Sequence, residues 1–166
     1  MTDPIDEVTR GKRELLRHAV ATLAYRGAKA IRDASPNVAD FHANDVTRTP
    51  RALLAHIGDL LDWAVSLAEG NQKWNPSPAA SWEEESARFF AALGRFDAFL
   101  ASDRPLGARP ERLMQGPIAD ALTHVGQLMM LRRLAGNPLR SENYAAADIV
   151  AGRVSSEQAT PKFEFD

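Results

Sequence analysis

Residues 49–71 read TPRALLAHIGDLLDWAVSLAEGN and carry clear signals for the start and the end of a helix. Thr49 is a residue type that caps helix N-termini, and Pro50 suits the first position of a helix. Apolar side chains then recur at the three- and four-residue spacing of one helix face, until a glycine and an asparagine end the pattern. The stretch therefore predicts an amphipathic helix that runs to about Glu69 and buries one face in a core.

Three further stretches carry the same periodicity, which predicts four helices of about 20 residues, each roughly 30 Å long. The first covers residues 9–33, the third follows a capping box at Ser81 and ends near residue 101, and the fourth runs from residues 115–117 to about 136. Four such helices joined by loops predict a four-helix bundle. The bundle occupies residues 9–136, and a tail over residues 137–166 carries one short helix near residues 143–151.

The composition supports an all-α fold in one domain. The chain has 166 residues and a mass of 18.2 kDa, which is enough for one core. It contains 28 alanines but only 13 valines and isoleucines together, and a sheet needs more β-branched residues than this. The whole chain, residues 1–166, is therefore predicted to be a single helical domain.

The charge balance and the missing cysteines exclude several classes of function. The 20 lysines and arginines are offset by 22 acidic residues, so no electrostatic attraction to nucleic acid or to an anionic membrane is expected. With no cysteine, neither a disulfide nor a thiolate metal ligand is available. The N-terminus lacks the apolar stretch of a signal peptide, and no apolar run approaches the roughly 20 residues that span a bilayer. We expect a soluble, cytoplasmic protein.

A small set of polar residues lies beside the predicted core. On a helical wheel, His56 falls at the edge of the apolar arc of the second helix. Asp120, His124 and Gln127 form a row on the flank of the fourth helix, at spacings of four and three residues. Because Asp120 and His124 are one turn apart, their side chains can reach a common atom. His56 from a facing helix would complete a site with two imidazoles and one carboxylate.

This ligand set is typical of a divalent metal site with open positions for water or substrate. It suits Zn²⁺, Ni²⁺, Fe²⁺ or Mn²⁺, and the sequence does not choose among them. The alternative is a structural cluster, in which Asp120 and His124 form an ion pair and His56 is bonded at the edge of the core.

Two further residues are candidates for the surroundings of the metal. Asp59 lies one turn after His56, so it is either a partner that orients this imidazole or a solvated surface acid. Gln127 either donates to a bound water or satisfies a buried carbonyl. No serine elbow and no phosphate-binding loop motif occurs, so no catalytic residue is assigned.

Two segments resemble the DinB/YfiT-like superfamily of metal-binding proteins. Residues 48–57, RTPRALLAHI, look like its second helix, and residues 120–128, DALTHVGQL, followed by LRRLAG at 131–136, look like its last helix. The resemblance covers four helices over roughly residues 10–136, and HVGQL is its most specific element. It implies a four-helix bundle, often dimeric, with a divalent metal held by one histidine of the second helix and by H-x-x-x-H on the last.

By position, these ligands fall on His56, Asp120 and His124, with an aspartate in place of the first histidine of H-x-x-x-H. The resemblance further implies a metal-dependent enzyme, either a transferase or isomerase that uses a low-molecular-weight thiol, or a hydrolase. The expected partners are a second copy of the chain and a small-molecule ligand. The alternative function is a non-catalytic dimeric protein, for binding or stress response, whose polar cluster is structural.

Overall fold

The computed structural model describes residues 4–165, and the side chains of residues 7–165. This part of the chain is mostly helical, as predicted. The α-helices are α1 (Pro4–Ile31), α2 (Pro50–Ala68), α3 (Trp82–Ala101), α4 (Pro110–Leu113) and α5 (Ala119–Leu134). The other elements are a π-helical turn (Met114–Ile118), a 3₁₀ turn (Tyr144–Ala146), β1 (Ser141–Glu142) and β2 (Glu164–Phe165). Over residues 4–165, no helix combines the length and the apolar character needed to cross a bilayer.

The long helices pack around an apolar core. Both α1 and α2 lie against α3 and α5. Ile57 and Leu61 of α2, and Phe89 and Phe96 of α3, are completely buried. Burial of each such side chain contributes about 1.5–3 kcal/mol. These contacts fix the rotation of α2, so the residues that flank its apolar face, including His56, have defined positions.

Two helices begin where their capping residues predict. The Thr49 hydroxyl accepts a hydrogen bond from the backbone N–H of Ala52, and Pro50 opens α2. Ser81 and Glu84 form a complete capping box at the start of α3. Each bond satisfies a backbone N–H that the first helical turn leaves without a partner.

The predicted start of the fourth helix, at residues 115–117, is wrong. Helical structure begins with α4 at Pro110 and continues through the π-helical turn into α5. Pro117 lies inside that turn, where the N–H of Ala119 donates to the carbonyl of Met114 five residues earlier. Proline lacks an N–H and crowds the preceding turn of an α-helix, and the wider π turn accommodates it. The helix therefore passes through a proline that local sequence rules place at its start.

Gly27 of α1 lies close to Phe89 of α3. A Cβ atom at this position would lie 2.3 Å from Cζ of Phe89, well inside van der Waals contact. Phe89 is completely buried, so its ring has no free space to move into. The absence of a side chain at Gly27 thus sets the distance between these two helices.

The tail differs in part from the prediction. Only Tyr144–Ala146 forms a helical turn within residues 143–151, and Asn143 caps it. The remainder includes two short strands, in which Ser141 pairs with Phe165 in antiparallel register. This pairing joins residues that are far apart in sequence, and so no local pattern predicts it.

A buried polar network ties the tail to α1. Lys29 Nζ donates to Glu142 Oε2 and to Glu164 Oε1, each at 2.8 Å. The hydroxyl of Tyr25 donates to the other oxygen of Glu142. The Glu142 side chain is 0% exposed and that of Lys29 is 5% exposed, so their charges compensate each other away from water.

Candidate metal centre

Two helices bring His56, Asp120 and His124 together. His56 lies near the middle of α2, and the other two lie one turn apart on α5, the helix packed against α2. One potential ligand atom from each residue lies within 4.8 Å of the others. The three residues that the sequence singled out as ligands are therefore neighbours in the fold, as the wheel positions predicted.

One distance within this cluster matches that between two ligands of one metal. His124 Nε2 lies 3.3 Å from Asp120 Oδ1. Two donor atoms that bind one tetrahedral zinc at about 2.0–2.1 Å are separated by about 3.3 Å. The rings of His56 and His124 have centroids 4.8 Å apart and an interplanar angle of 75°. The two imidazoles therefore converge edge to face beside the carboxylate rather than stacking.

Gln127 determines which nitrogen of His124 faces the carboxylate. Its amide oxygen, Oε1, lies 2.8 Å from His124 Nδ1. With the amide in this orientation its oxygen accepts a hydrogen bond from Nδ1–H, and in the neutral ring Nε2 then keeps its lone pair. Nε2 and Asp120 Oδ1 then face each other as two acceptors. Such a pair requires a proton or a cation between its atoms, because two lone pairs at this distance repel each other.

The site is shielded on one side and open on the other. The side chain of His124 is 14% exposed, whereas that of Asp120 is 48% exposed. His56 is mostly buried, as predicted, while Gln127 lies on the surface. A small molecule can therefore approach from the Asp120 side.

The environment keeps His56 neutral. Burial lowers the pKa of this imidazole, and the positive charge of Arg48 and the neighbouring His124 lower it further, against the opposing charges of Asp120 and Asp59. The neutral form of the ring predominates at pH 7, and a metal binds this form.

The structure does not bring Asp59 into hydrogen-bond contact with His56. The carboxylate of Asp59 is buried and accepts hydrogen bonds from Arg88 Nη2 at 2.7 Å and from the Ser77 hydroxyl at 3.4 Å. Asp59 therefore joins α2 to α3. Neither of the two roles that the sequence suggested, orienting partner or solvated acid, describes it.

Sequence reasoning missed two neighbours of the site. The ring of Trp74 meets His56 edge to face, with centroids 6.0 Å apart, and Trp63 packs in the same way on Trp74 at 5.9 Å. The charge of Arg48 acts on His56. Trp74 lies in a proline-containing loop, and Arg48 lies just before α2. A helical wheel predicts side-chain directions only within a helix, so it could not place these two residues.

Comparison of the chain with family models, curated proteins and solved structures finds no match.

Proposed function

We propose that this protein is a DinB-like four-helix bundle and a metal-dependent enzyme, with a divalent metal held by His56, Asp120 and His124. The supporting observation is that Nε2 of His124 and Oδ1 of Asp120 face each other at 3.3 Å, while Nδ1 of His124 is hydrogen-bonded to Gln127. A divalent cation satisfies both lone pairs, and the neutral ring of His56 supplies a third donor. The set of two nitrogens and one oxygen suits zinc, nickel, iron or manganese.

The surroundings of the site suit an open metal centre. When bound, the metal would act as a Lewis acid and lower the pKa of a thiol or a water that reaches its open side. Gln127 holds the His124 ring in place, and Trp74 covers the edge of His56. The exposed side of Asp120 leaves room for a reactant.

Thiol transfer is the reaction that this site supports better than hydrolysis. Hydrolysis is faster when a general base lies within hydrogen-bond reach of the attacking water, in addition to the acidifying effect of a metal. Asp59, the nearby carboxylate on α2, is engaged by Arg88, and Asp120 is assigned to the metal. A thiol needs only to lose its proton to become nucleophilic. The proposal therefore includes a low-molecular-weight thiol as co-substrate, a small-molecule acceptor and, from the family resemblance, a homodimer.

The test of the metal site is the amount of zinc that the purified chain retains. After removal of metal and incubation with Zn²⁺, we expect about one zinc per chain by elemental analysis, and little zinc in His124→Ala. Zinc at about 100 times its Kd should stabilise the native state by about 2.7 kcal/mol. For a chain of this size, such a gain raises Tm by roughly 5–10 °C.

His42→Ala is the matched control, because His42 is an exposed histidine in the loop before α2. This variant should bind zinc as the wild type does. A stoichiometry near zero in the wild type, or equal retention by His124→Ala, contradicts the metal site. Consumption of 2-mercaptoethanol with an electrophilic acceptor that persists after chelation and in His124→Ala contradicts the thiol role.

A structural cluster is the second candidate, because 3.3 Å is also the distance of an ion pair between a protonated His124 and Asp120. In that case a proton takes the place of the cation, and the protein is a non-catalytic dimer. A chelator then leaves Tm unchanged, and zinc does not raise it. The same measurements therefore separate the two candidates.

A further inference from the structure

A groove of about 530 Å³ adjoins the candidate metal centre. It lies between the loop before α2 and the exposed face of α5. Its lining includes Val46, Arg48, Leu53, Gln127, Met130 and Leu131. Most of these side chains are apolar, and Arg48 is the charged group in the lining.

Three residues connect the groove to the metal centre. Gln127 lines the groove and also accepts the hydrogen bond from His124. Leu53 lies one helical turn before His56 on α2. Arg48 is near enough for its charge to act on His56. A molecule in the groove would therefore lie beside Gln127, the residue that contacts His124.

Arg48 has no carboxylate partner in the described part of the chain, unlike other arginines around α2. Arg51 pairs with Asp40, and Arg88 pairs with Asp59. Arg48 is exposed, and none of residues 7–165 forms a hydrogen bond or an ion pair with its guanidinium. A guanidinium presents a planar set of donors that matches a carboxylate.

We infer that this groove, hereafter the Arg48 groove, binds a small molecule that carries a carboxylate beside an apolar segment. The carboxylate pairs with Arg48, and the apolar segment packs on Leu53, Met130 and Leu131. The inference rests on the proposed function only in taking this molecule as a reactant. The carboxylate belongs either to the thiol or to the acceptor, and both sources share the same chemistry.

The test compares hexanoate with hexanamide by titration calorimetry on the full chain. We expect hexanoate to bind more tightly, and Arg48→Gln to weaken its binding about tenfold, as the loss of one charged hydrogen-bonded contact does. Arg48→Lys keeps the charge and should lose less affinity than Arg48→Gln. Arg109→Gln is the control, because Arg109 is exposed near the loop that contacts the other end of α2, and it should bind hexanoate as the wild type does.

The inference is overturned if hexanoate and hexanamide bind equally, if Arg48→Gln behaves like Arg109→Gln, or if hexanoate does not bind at millimolar concentration. Zinc retention, measured on the same samples, separates this result from the proposed function. Hexanoate binding that depends on Arg48 in a chain that retains no zinc upholds the groove and contradicts the metal site. Zinc retention without hexanoate binding upholds the metal site and contradicts the groove.

The source of the carboxylate follows from a third probe, 6-mercaptohexanoate, titrated with and without zinc. If the thiol carries the carboxylate, zinc should tighten binding of 6-mercaptohexanoate but not of hexanoate, and Arg48→Gln should weaken it. If the acceptor carries it, zinc should leave the Arg48-dependent binding of both acids unchanged. Binding of 6-mercaptohexanoate that is independent of Arg48 contradicts the groove.

Discussion

The chemistry of the candidate site depends on the orientation of one imidazole ring. The amide oxygen of Gln127 accepts a hydrogen bond from Nδ1–H of His124 and so directs the lone pair of Nε2 at Asp120. Groups that hold a ligating histidine in this way contribute to metal affinity, and their loss typically lowers it about 10- to 100-fold. An exposed glutamine on α5 is therefore part of the site, although it is not itself a ligand.

Replacement of Gln127 tests this dependence. Gln127→Leu removes the acceptor while keeping a side chain of similar length, and we expect zinc affinity to fall about 10- to 100-fold. Gln127→Glu keeps an acceptor at the same place and should retain most of the affinity. Competition against a chromogenic chelator measures both variants. Equal affinity of Gln127→Leu and wild type would show that the ring is held by packing alone.

At this scale the sequence predicts which residues meet, but not every partner. Spacing on α5 was sufficient to expect Asp120 and His124 to meet, because a helix fixes the angle between successive side chains. The expectation that His56 of α2 joins them drew on the family resemblance as well. Asp59 was misread because its partner, Arg88, comes from α3, and a wheel says nothing about the neighbouring helix. Whether the cluster holds a metal stays a prediction.

Among the helices, the contact between α1 and α3 at Gly27 leaves no space for an added side chain. Gly27→Ala would drive a methyl group into the buried ring of Phe89, which has no room to retreat. We expect a loss of about 1–3 kcal/mol in the free energy of unfolding, the usual cost of overpacking. Urea titration followed by circular dichroism measures it.

Gly94→Ala is the matched control on α3. A Cβ atom at Gly94 meets nothing within 4 Å, so alanine should stabilise the helix by about 0.5–1 kcal/mol through its higher helix propensity. Opposite signs for the two substitutions support the close contact. A stabilising Gly27→Ala would mean that α1 and α3 are farther apart than described.

The ends of the helices show where local rules succeed. Thr49 and Ser81 predict the starts of α2 and α3 because their side chains accept hydrogen bonds from free N–H groups of the first turn. Arg109, before α4, makes no such side-chain bond, so the true start at Pro110 carries a weaker signal. The prediction placed Pro117 at the start of the helix because proline is common there. The wider π turn instead accommodates Pro117 inside the helix.

For the molecule as a whole, the attachment of the tail to α1 depends on Glu142. Glu142→Gln leaves the buried ammonium of Lys29 with only Glu164, and we expect a loss of about 3 kcal/mol in the free energy of unfolding. Glu164→Gln, which removes the more exposed carboxylate of the same lysine, should cost clearly less. Urea titration of both variants measures the difference. Equal losses would contradict a buried role for Glu142.

The same network makes stability depend on pH through Glu164. The hydrogen bond from Lys29 lowers the pKa of this carboxyl, so its contribution is present above the ordinary pKa and is lost as the pH falls through the lowered value. Burial lowers the pKa of Lys29, but its hydrogen bonds to Glu142 and Glu164 outweigh the effect of burial, so the pKa of Lys29 is raised overall. The lysine contribution is thus lost only as the pH rises through that raised value. Glu164→Gln should flatten the acid side of the stability curve.

The contacts of the tail also bear on how the chain folds during synthesis. Lys29 is joined to Glu142 across 113 residues and to Glu164 across 135. On the ribosome, α1 is made before the tail, and its lysine stays without these carboxylates until residues 142 and 164 have been translated. Closing so long a loop is slow compared with forming a helix. The lysine of α1 therefore reaches its final surroundings late, and translation of the tail, rather than of α1, completes the network around it.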